Sequence, residues 1–535
     1  MPLRIATRIA ALLLVSAAMF VAPARAADAP AAGKPAPGLR LHRYFSDGAV
    51  LQRERPIPVW GWAAPGEAVT VTLADSTART TAGADGRWRV EFPARPATVT
   101  PIELKVTGTT ATAAAKNVLI GDVFLCSGQS NMSIGLGHFT DQPNKKAAAT
   151  ADLPLVRQFG IVEHFGPAPQ DDVATGEWLA CSPKTAPRFS AVAFYFARRL
   201  HADTGVPIGI VRSAKGSTRI EMWLSQETLL SAPPFAPLAG KMKVSLAQWE
   251  REKAAAVAAG THVGAPEFPP FPFGEKARRP RCATLYNGMI APLAGLRFRG
   301  VVWYQGEGNA GDEANGLAYH GQLATLIGAW RKHFADPDLP FYFVQLPAFR
   351  EPDDSPTGGG GLALLRESQR QTLAAPHTGM AITIDVGEAG DIHPRNKADV
   401  GDRLARLALH DLYGKSELTP TGPLYRAMTV EGSKIRLTFD HVGRGLMVGK
   451  KDGPGPAVED AGGSLKRFAI AGADRKWVWA TATIDRDAVV VSAPGVPAPV
   501  AVRYAFSANP AGANLYNRDG LPAAPFRTDD WSPAK

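Results

Sequence analysis

The chain has 535 residues, 45% hydrophobic and 20% charged, with 53 glycines and 45 prolines. That length exceeds what one hydrophobic core usually organises, so two or three domains are expected, with many turns and a large β fraction. The net charge of +10 is spread along the chain rather than gathered into a block. This argues against nucleic-acid binding, which needs a basic stripe on one face, and leaves at most a mild attraction to acidic polysaccharide.

Arg4 and Arg8 precede an apolar run from Ile9 to Val21, and Ala24-Arg25-Ala26 follows as a small-x-small exit. These are the parts of a secretory signal peptide over 1–26. Its apolar run is too short to span a bilayer as a helix, so the expectation is export to the periplasm or outside, without a stable membrane anchor. Residues 27–38, rich in Ala and Pro, are expected to form a flexible lead-in. Segments such as "PIPVWGWA", "AVTVTLAD", "RWRVEFPA" and "IELKVTG" within 39–116 alternate in short runs between Gly- and Asp-containing turns. They predict a small sandwich-like β domain.

From 117 the pattern changes. "NVLIGDVFLCSG" is a continuous apolar strand of the kind buried in a parallel sheet. In "FSAVAFYFARRLHADTG", Val192, Phe196 and Leu200 recur at four-residue spacing and the run stops at Gly205, which predicts an amphipathic helix. Strands "VPIGIVRS", "GVVWYQ", "PFYFVQLP" and "MAITIDVG" then alternate with helical runs, ending in "NKADVGDRLARLALHDLYG". Strand–helix alternation over 117–416 predicts an α/β sheet with helices on both faces. Residues 228–280, rich in Pro, Ala and Lys, read as an insertion or lid over the catalytic face. Residues 417–535 return to short β segments and predict a second sandwich-like region.

Cys126, Cys181 and Cys282 are too few and too scattered for a disulfide framework or metal cluster; export would permit one disulfide. No metal-ligand spacing is present, so no metal and no cofactor are predicted. Nothing in the sequence specifies an oligomeric state.

Ligands of an open parallel sheet bind beyond the carboxyl ends of its strands, so residues following the buried strands are the candidates. In "CSGQSNMS", Ser130 follows the first strand, where backbone N–H groups can surround a hydroxyl; Ser127 and Ser133 compete with it, and a helix N-cap is the plainer role. In "SAKGSTRIEMW", Gly216 can bring its N–H close to a ligand. In "WYQGEGN", Gln305 and Asn309 are amide donors, and the intervening Glu307 requires hydrogen bonds if buried. In "DIHPRNK", Asp391 and His393 share a loop stiffened by Pro394, and a serine nucleophile needs an imidazole oriented by a carboxylate.

Together with "LYNGMIAPLAGLRFRGVVWYQGEGNA" and the tail "NLYNRDGLPAAPFRTDD", these ordered segments resemble the sialate O-acetylesterase family of the SGNH (GDSL-like) hydrolases. The resemblance covers most of the chain. It implies a flavodoxin-like three-layer α/β hydrolase domain flanked by β-sandwich-like domains, acting without a cofactor. It further implies Ser130 as nucleophile and His393 as base. The oxyanion hole would be formed by Ser130, Gly216 and Gln305, with Asn309 as the fallback donor.

Two departures stand out. The second segment carries Lys215-Gly216-Ser217 where relatives show Gly-Gly-Thr, so Lys215 is strained if that position needs a positive φ. The acid is usually three residues before the histidine, but position 390 is glycine. Asp391 is therefore the first choice, with Asp385 or Glu388 as substitutes. The implied activity is removal of O-acetyl groups from an acetylated carbohydrate. An acetylxylan or other plant-polysaccharide acetylesterase is the main alternative; a lipase or thioesterase and a non-catalytic glycan-binding protein are the others.

Overall fold

The computed structural model describes residues 38–261 and 282–531. The expected signal peptide, all but the last residue of the lead-in, and "PEFPPFPFGEKARRP" lie outside the described residues.

Near the N-terminus, strand Arg87–Phe92 buries Trp88, Val90 and Phe92 and exposes Arg87, Arg89 and Glu91, as a period of two requires. It pairs antiparallel with Ile57–Trp62, which also pairs with Arg40–Leu41. A second layer places Ala68–Leu73 between Ser76–Thr81 and Thr98–Thr107. Thr98–Thr107 then pairs with a 17-residue strand, Thr112–Gly128, here β1. The early part of β1 is largely exposed, whereas Val118 to Gly128 are all buried. One strand therefore runs from the N-terminal β layers into the α/β sheet, and one hydrophobic core is continuous across both.

The remaining strands of the central sheet are β2 (Leu153–Ile161), β3 (Gly176–Cys181), β4 (Ile208–Ala214), β5 (Gly300–Tyr304), β6 (Phe341–Val344) and β7 (Thr378–Ala381). Their order is β3-β2-β4-β1-β5-β6-β7. All neighbours are parallel except the β3–β2 edge hairpin. Four helices cover this sheet: α1 (Ala191–Thr204), α2 (Glu313–His333), α3 (Gly361–Gln371) and α4 (Lys397–Tyr413).

Register shows that both faces are covered. Phe124 of β1 pairs with Gly300 and Ser127 with Trp303, an odd separation that sends Phe124 and Trp303 to opposite faces. Phe124 meets Phe196 of α1, and Trp303 meets Trp330 of α2. Helix limits follow the sequence signals. Ser190 caps α1 and Gly205 ends it at φ 69°; Asn396 caps α4 and Gly414 ends it at φ 67°. At Gly401, where α4 crosses α1, a Cβ would fall 2.5 Å from that of Tyr195, so the crossing requires glycine.

Helix α3 opens on the apolar run Leu362–Leu365 and is polar thereafter, yet Arg366, Glu367, Ser368 and Gln369 are all buried. Arg366 donates to the carbonyls of Leu346, Pro347, Ser507 and Ala508, tying the α/β body to the C-terminal β region. That region packs its own core from residues such as Ile435, Phe468, Val489, Tyr504 and Phe526. In the expected insertion, Ala236–Ala258 form a 23-residue helix that buries only Ala239 and Met242. The three cysteines are free and buried. No helix among the described residues is long and apolar enough to cross a membrane.

Candidate active site

The carboxyl ends of β1, β4 and β5, with the loop after β7, bring the predicted segments together. Ser130 opens a short helical turn, Ser130–Ser133, immediately after β1. His393 Nε2 lies 2.8 Å from Ser130 Oγ, across 263 residues of chain. Ser127 is fully buried and Ser133 Oγ donates to the Ser130 carbonyl, so neither competitor has this partner. Burial lowers the His393 pKa below the ordinary histidine value of 6.5, and the nearby Lys397 charge adds to this. The imidazole is therefore mostly neutral near pH 7, the form that can accept the serine proton.

Asp391 accepts from the His393 backbone N–H at 2.8 Å, and its carboxylate is 3.6 Å from Nδ1. The two substitutes are engaged elsewhere. Asp385 binds Arg403 through both oxygens at 2.6 and 2.8 Å, and Glu388 binds Arg395 at 2.8 Å. Gly216 packs on the nucleophile: a Cβ there would sit 3.3 Å from that of Ser130. In the second segment the left-handed residue is Ser217, at φ 59°, so Lys215 escapes the strain considered from sequence. Lys215 instead pairs with Glu163 at 2.8 Å, and its N–H reaches the Gly128 carbonyl.

In the third segment the expected oxyanion donors have other partners. Gln305 is fully buried, and its Nε2 faces Gln129 Oε1, the Thr218 carbonyl and Asn309 Oδ1 at 2.9–3.2 Å. Asn309 is equally engaged: its Oδ1 accepts from Ile220 N–H and its Nδ2 donates to Glu221. Both amides are therefore held by neighbours other than Ser130. Orphaning one of them would cost roughly 1–3 kcal/mol. Gln129 joins the site beyond the residues expected from sequence. Its Oε1 is held by Gln305 and by the N–H groups of Gly306 and Gly308, whereas its Nε2 has no protein acceptor among the described residues. Its place next to the serine was the available signal.

Beside the nucleophile lies a buried polar bridge. Asn131 donates to Glu307 Oε1 at 2.6 Å and to the Ile392 carbonyl at 3.0 Å, and its Oδ1 accepts from Lys397 Nζ at 2.5 Å. The bridge joins the serine turn, the β5 loop and the histidine loop in one contact set. Burial raises the Glu307 pKa and lowers that of Lys397 to about 7. Among the described residues no group of three or more His, Cys, Asp or Glu is arranged to hold a metal ion. The arrangement suits acyl transfer: a hydroxyl, an imidazole within proton-transfer reach, and backbone N–H groups around them.

Comparison with known proteins agrees with this chemistry. Residues 120–254 and 275–410 match the family described as carbohydrate esterase, sialic acid-specific acetylesterase. The sialate O-acetylesterase of Mus musculus is 30% identical over 458 residues, spanning 75% of this chain and 79% of that protein. That of Pongo abelii is 27% identical, spanning 91% and 92% of the two chains. Among solved structures, a carbohydrate acetylesterase from Xanthomonas citri is 39% identical with a TM-score of 0.77, covering 92% of this chain and all of that one. The chain belongs to the sialic acid-specific acetylesterase family of carbohydrate esterases.

Proposed function

We propose that this carbohydrate O-acetylesterase works by a serine mechanism with Ser130 as nucleophile, His393 as base and Asp391 as the orienting acid. The observation that carries the proposal is the 2.8 Å contact between Ser130 Oγ and His393 Nε2. His393 takes the serine proton as Oγ bonds to the acetyl carbon, then returns it to the departing sugar oxygen. Water, deprotonated by the same imidazole, attacks the acetyl-serine, and acetate leaves with Ser130 restored. The N–H groups of Ser130 and Gly216 and the Gln129 amide are the oxyanion donors in this reading.

The order β4-β1-β5-β6-β7 corresponds to 2-1-3-4-5 in chain sequence, which supports a flavodoxin-like, SGNH-type hydrolase domain. In the same reading, segments 39–116 and 417–535 are flanking β domains and 1–26 directs export. O-acetylated sialic acid is the first substrate to test, because the curated relatives are sialate O-acetylesterases. Acetate release from acetylated sialic acid, acetylated xylan and xylo-oligosaccharides tests the activity and ranks the sugars. Ser130→Ala should abolish release from all of them while leaving thermal unfolding unchanged. Turnover retained in that variant would exclude Ser130 as nucleophile.

A further inference from the structure

Away from Ser130 but at the same end of the central sheet, a cleft of about 350 Å³ opens between the α/β body and the C-terminal β region. Its body side comes from the start of α2, at Glu313, and the loop that follows β6, at Thr357–Gly359. Its far side carries Trp477, Trp531, Arg475 and Arg503. We propose that this cleft is a distal subsite for a carboxylate-bearing sugar residue of the glycan deacetylated at Ser130. The proposal rests on the esterase reading above.

The two indoles, each half-buried, pack against each other with centroids 5.4 Å apart at 52° and give the cleft an aromatic lining of the kind common in ligand sites. Arg503 lies 4.2 Å over Trp477 and is locked by two bonds to Asp529, at 2.8 and 2.9 Å, and one to the Thr357 carbonyl. Asp529 thus neutralises Arg503. Arg475 lies over Trp531 at 5.2 Å, is exposed, and has no carboxylate within ion-pair distance among the described residues. Arg527, which also lines the cleft, shares Asp529 at 3.8 Å, so Arg475 is the lining arginine without an acidic partner among the described residues, and an Arg–carboxylate pair is among the stronger polar contacts.

Part of the lining is bare backbone. Gly358, at φ +55°, has no room for a side chain, because a Cβ would fall 1.9 Å from the Phe506 carbonyl oxygen. At Gly359, φ +107°, a Cβ would meet only Glu313 Oε1 at 3.8 Å, so the ligand side of this glycine is open. These residues belong to the Gly358–Gly361 run, which the catalytic centre does not use. Glu313 is six residues from Glu307, whose carboxylate touches the Asn131 bridge, so the chain between them spans at most roughly 20 Å. That interval is within the length of a glycan of a few residues.

The test uses the full chain carrying Ser130→Ala, which separates binding from turnover. Calorimetric titration would compare N-acetylneuraminic acid, a uronic-acid-bearing xylo-oligosaccharide and a neutral xylo-oligosaccharide of the same length. An acidic probe should bind at least tenfold more tightly than the neutral one, and whichever acid binds identifies the sugar class. Arg475→Ala and Trp477→Ala should each weaken that binding at least tenfold. With Ser130 restored, both should hydrolyse 4-nitrophenyl acetate within twofold of the parent. No binding, equal binding of neutral and acidic probes, or binding indifferent to Arg475→Ala would overturn the proposal. Because Arg475 is exposed, that variant remains informative should Trp477→Ala fail to fold. Failure of the Ser130 protein to cleave 4-nitrophenyl acetate would count against the esterase reading and leave the titration readable.

Discussion

Replacing Lys397 by methionine removes a buried ammonium while keeping the length of the side chain. The amino group is fully enclosed, bonded to Asn131 Oδ1, and its pKa is brought down to about 7 by burial, against partial support from Glu307. The unfolded chain holds this proton up to about pH 10.4. Between those values the unfolded state binds more protons than the folded one, so this group makes stability rise with pH. From pH 7 to 8.5 the gain is roughly 1–2 kcal/mol in the wild type and absent in Lys397→Met. Three buried thiols, whose pKa values are raised, pull the other way above about pH 8. They do so in both proteins, so the difference between the two reports the lysine together with the Glu307 carboxyl that its charge supports. Urea unfolding at pH 7.0 and 8.5 measures it. At pH 7 the variant also leaves the Asn131 oxygen without its charge-assisted partner, a loss of roughly 1.5–3 kcal/mol offset by the relieved ammonium burial. A wild-type-minus-variant stability difference that is the same at both pH values would refute the reasoning.

Three further outcomes are expected. His393 is held below the ordinary value by burial, so the rising limb of kcat/KM for 4-nitrophenyl acetate should have its midpoint under pH 6.5; a midpoint above 7 would contradict this. Gly216→Ala puts a methyl 3.3 Å from the Ser130 Cβ, so kcat should fall roughly 10–100-fold with the unfolding midpoint kept, and a change within twofold would show that Gly216 is not at the reacting centre. Asp391→Ala removes both the backbone acceptor and the carboxylate beside Nδ1, so kcat should drop about 100-fold, while Glu388→Gln stays within fivefold. Equal losses in these two variants would reassign the orienting acid.

Much of this organisation was legible in the chain because it is local. Caps at Ser190 and Asn396, stops at Gly205 and Gly414, and the period-two strand Arg87–Phe92 are each set by a few neighbouring residues. Helix α3 was not legible, because its polar side chains are buried against backbone carbonyls that arrive from residues 346–347 and 507–508. Gln305 misled for a related reason. An amide in the right loop has the right donors, but only the folded surroundings show that Gln129, Thr218 and Asn309 take them.

By itself the sequence determined the parallel strands, the loops at their carboxyl ends, and Ser130 and His393 as the pair to examine. Strand burial and chemical type are written in short windows of residues. Tertiary structure decided how that pair is supported: Asn131 bridging Glu307 and Lys397, and the amides of Gln305 and Asn309 engaged by Gln129, Thr218 and Glu221. Those outcomes depend on which buried donor meets which acceptor across distant segments. In a low-dielectric interior every such group must find a partner, and the winning pairings exist only once the chain has packed.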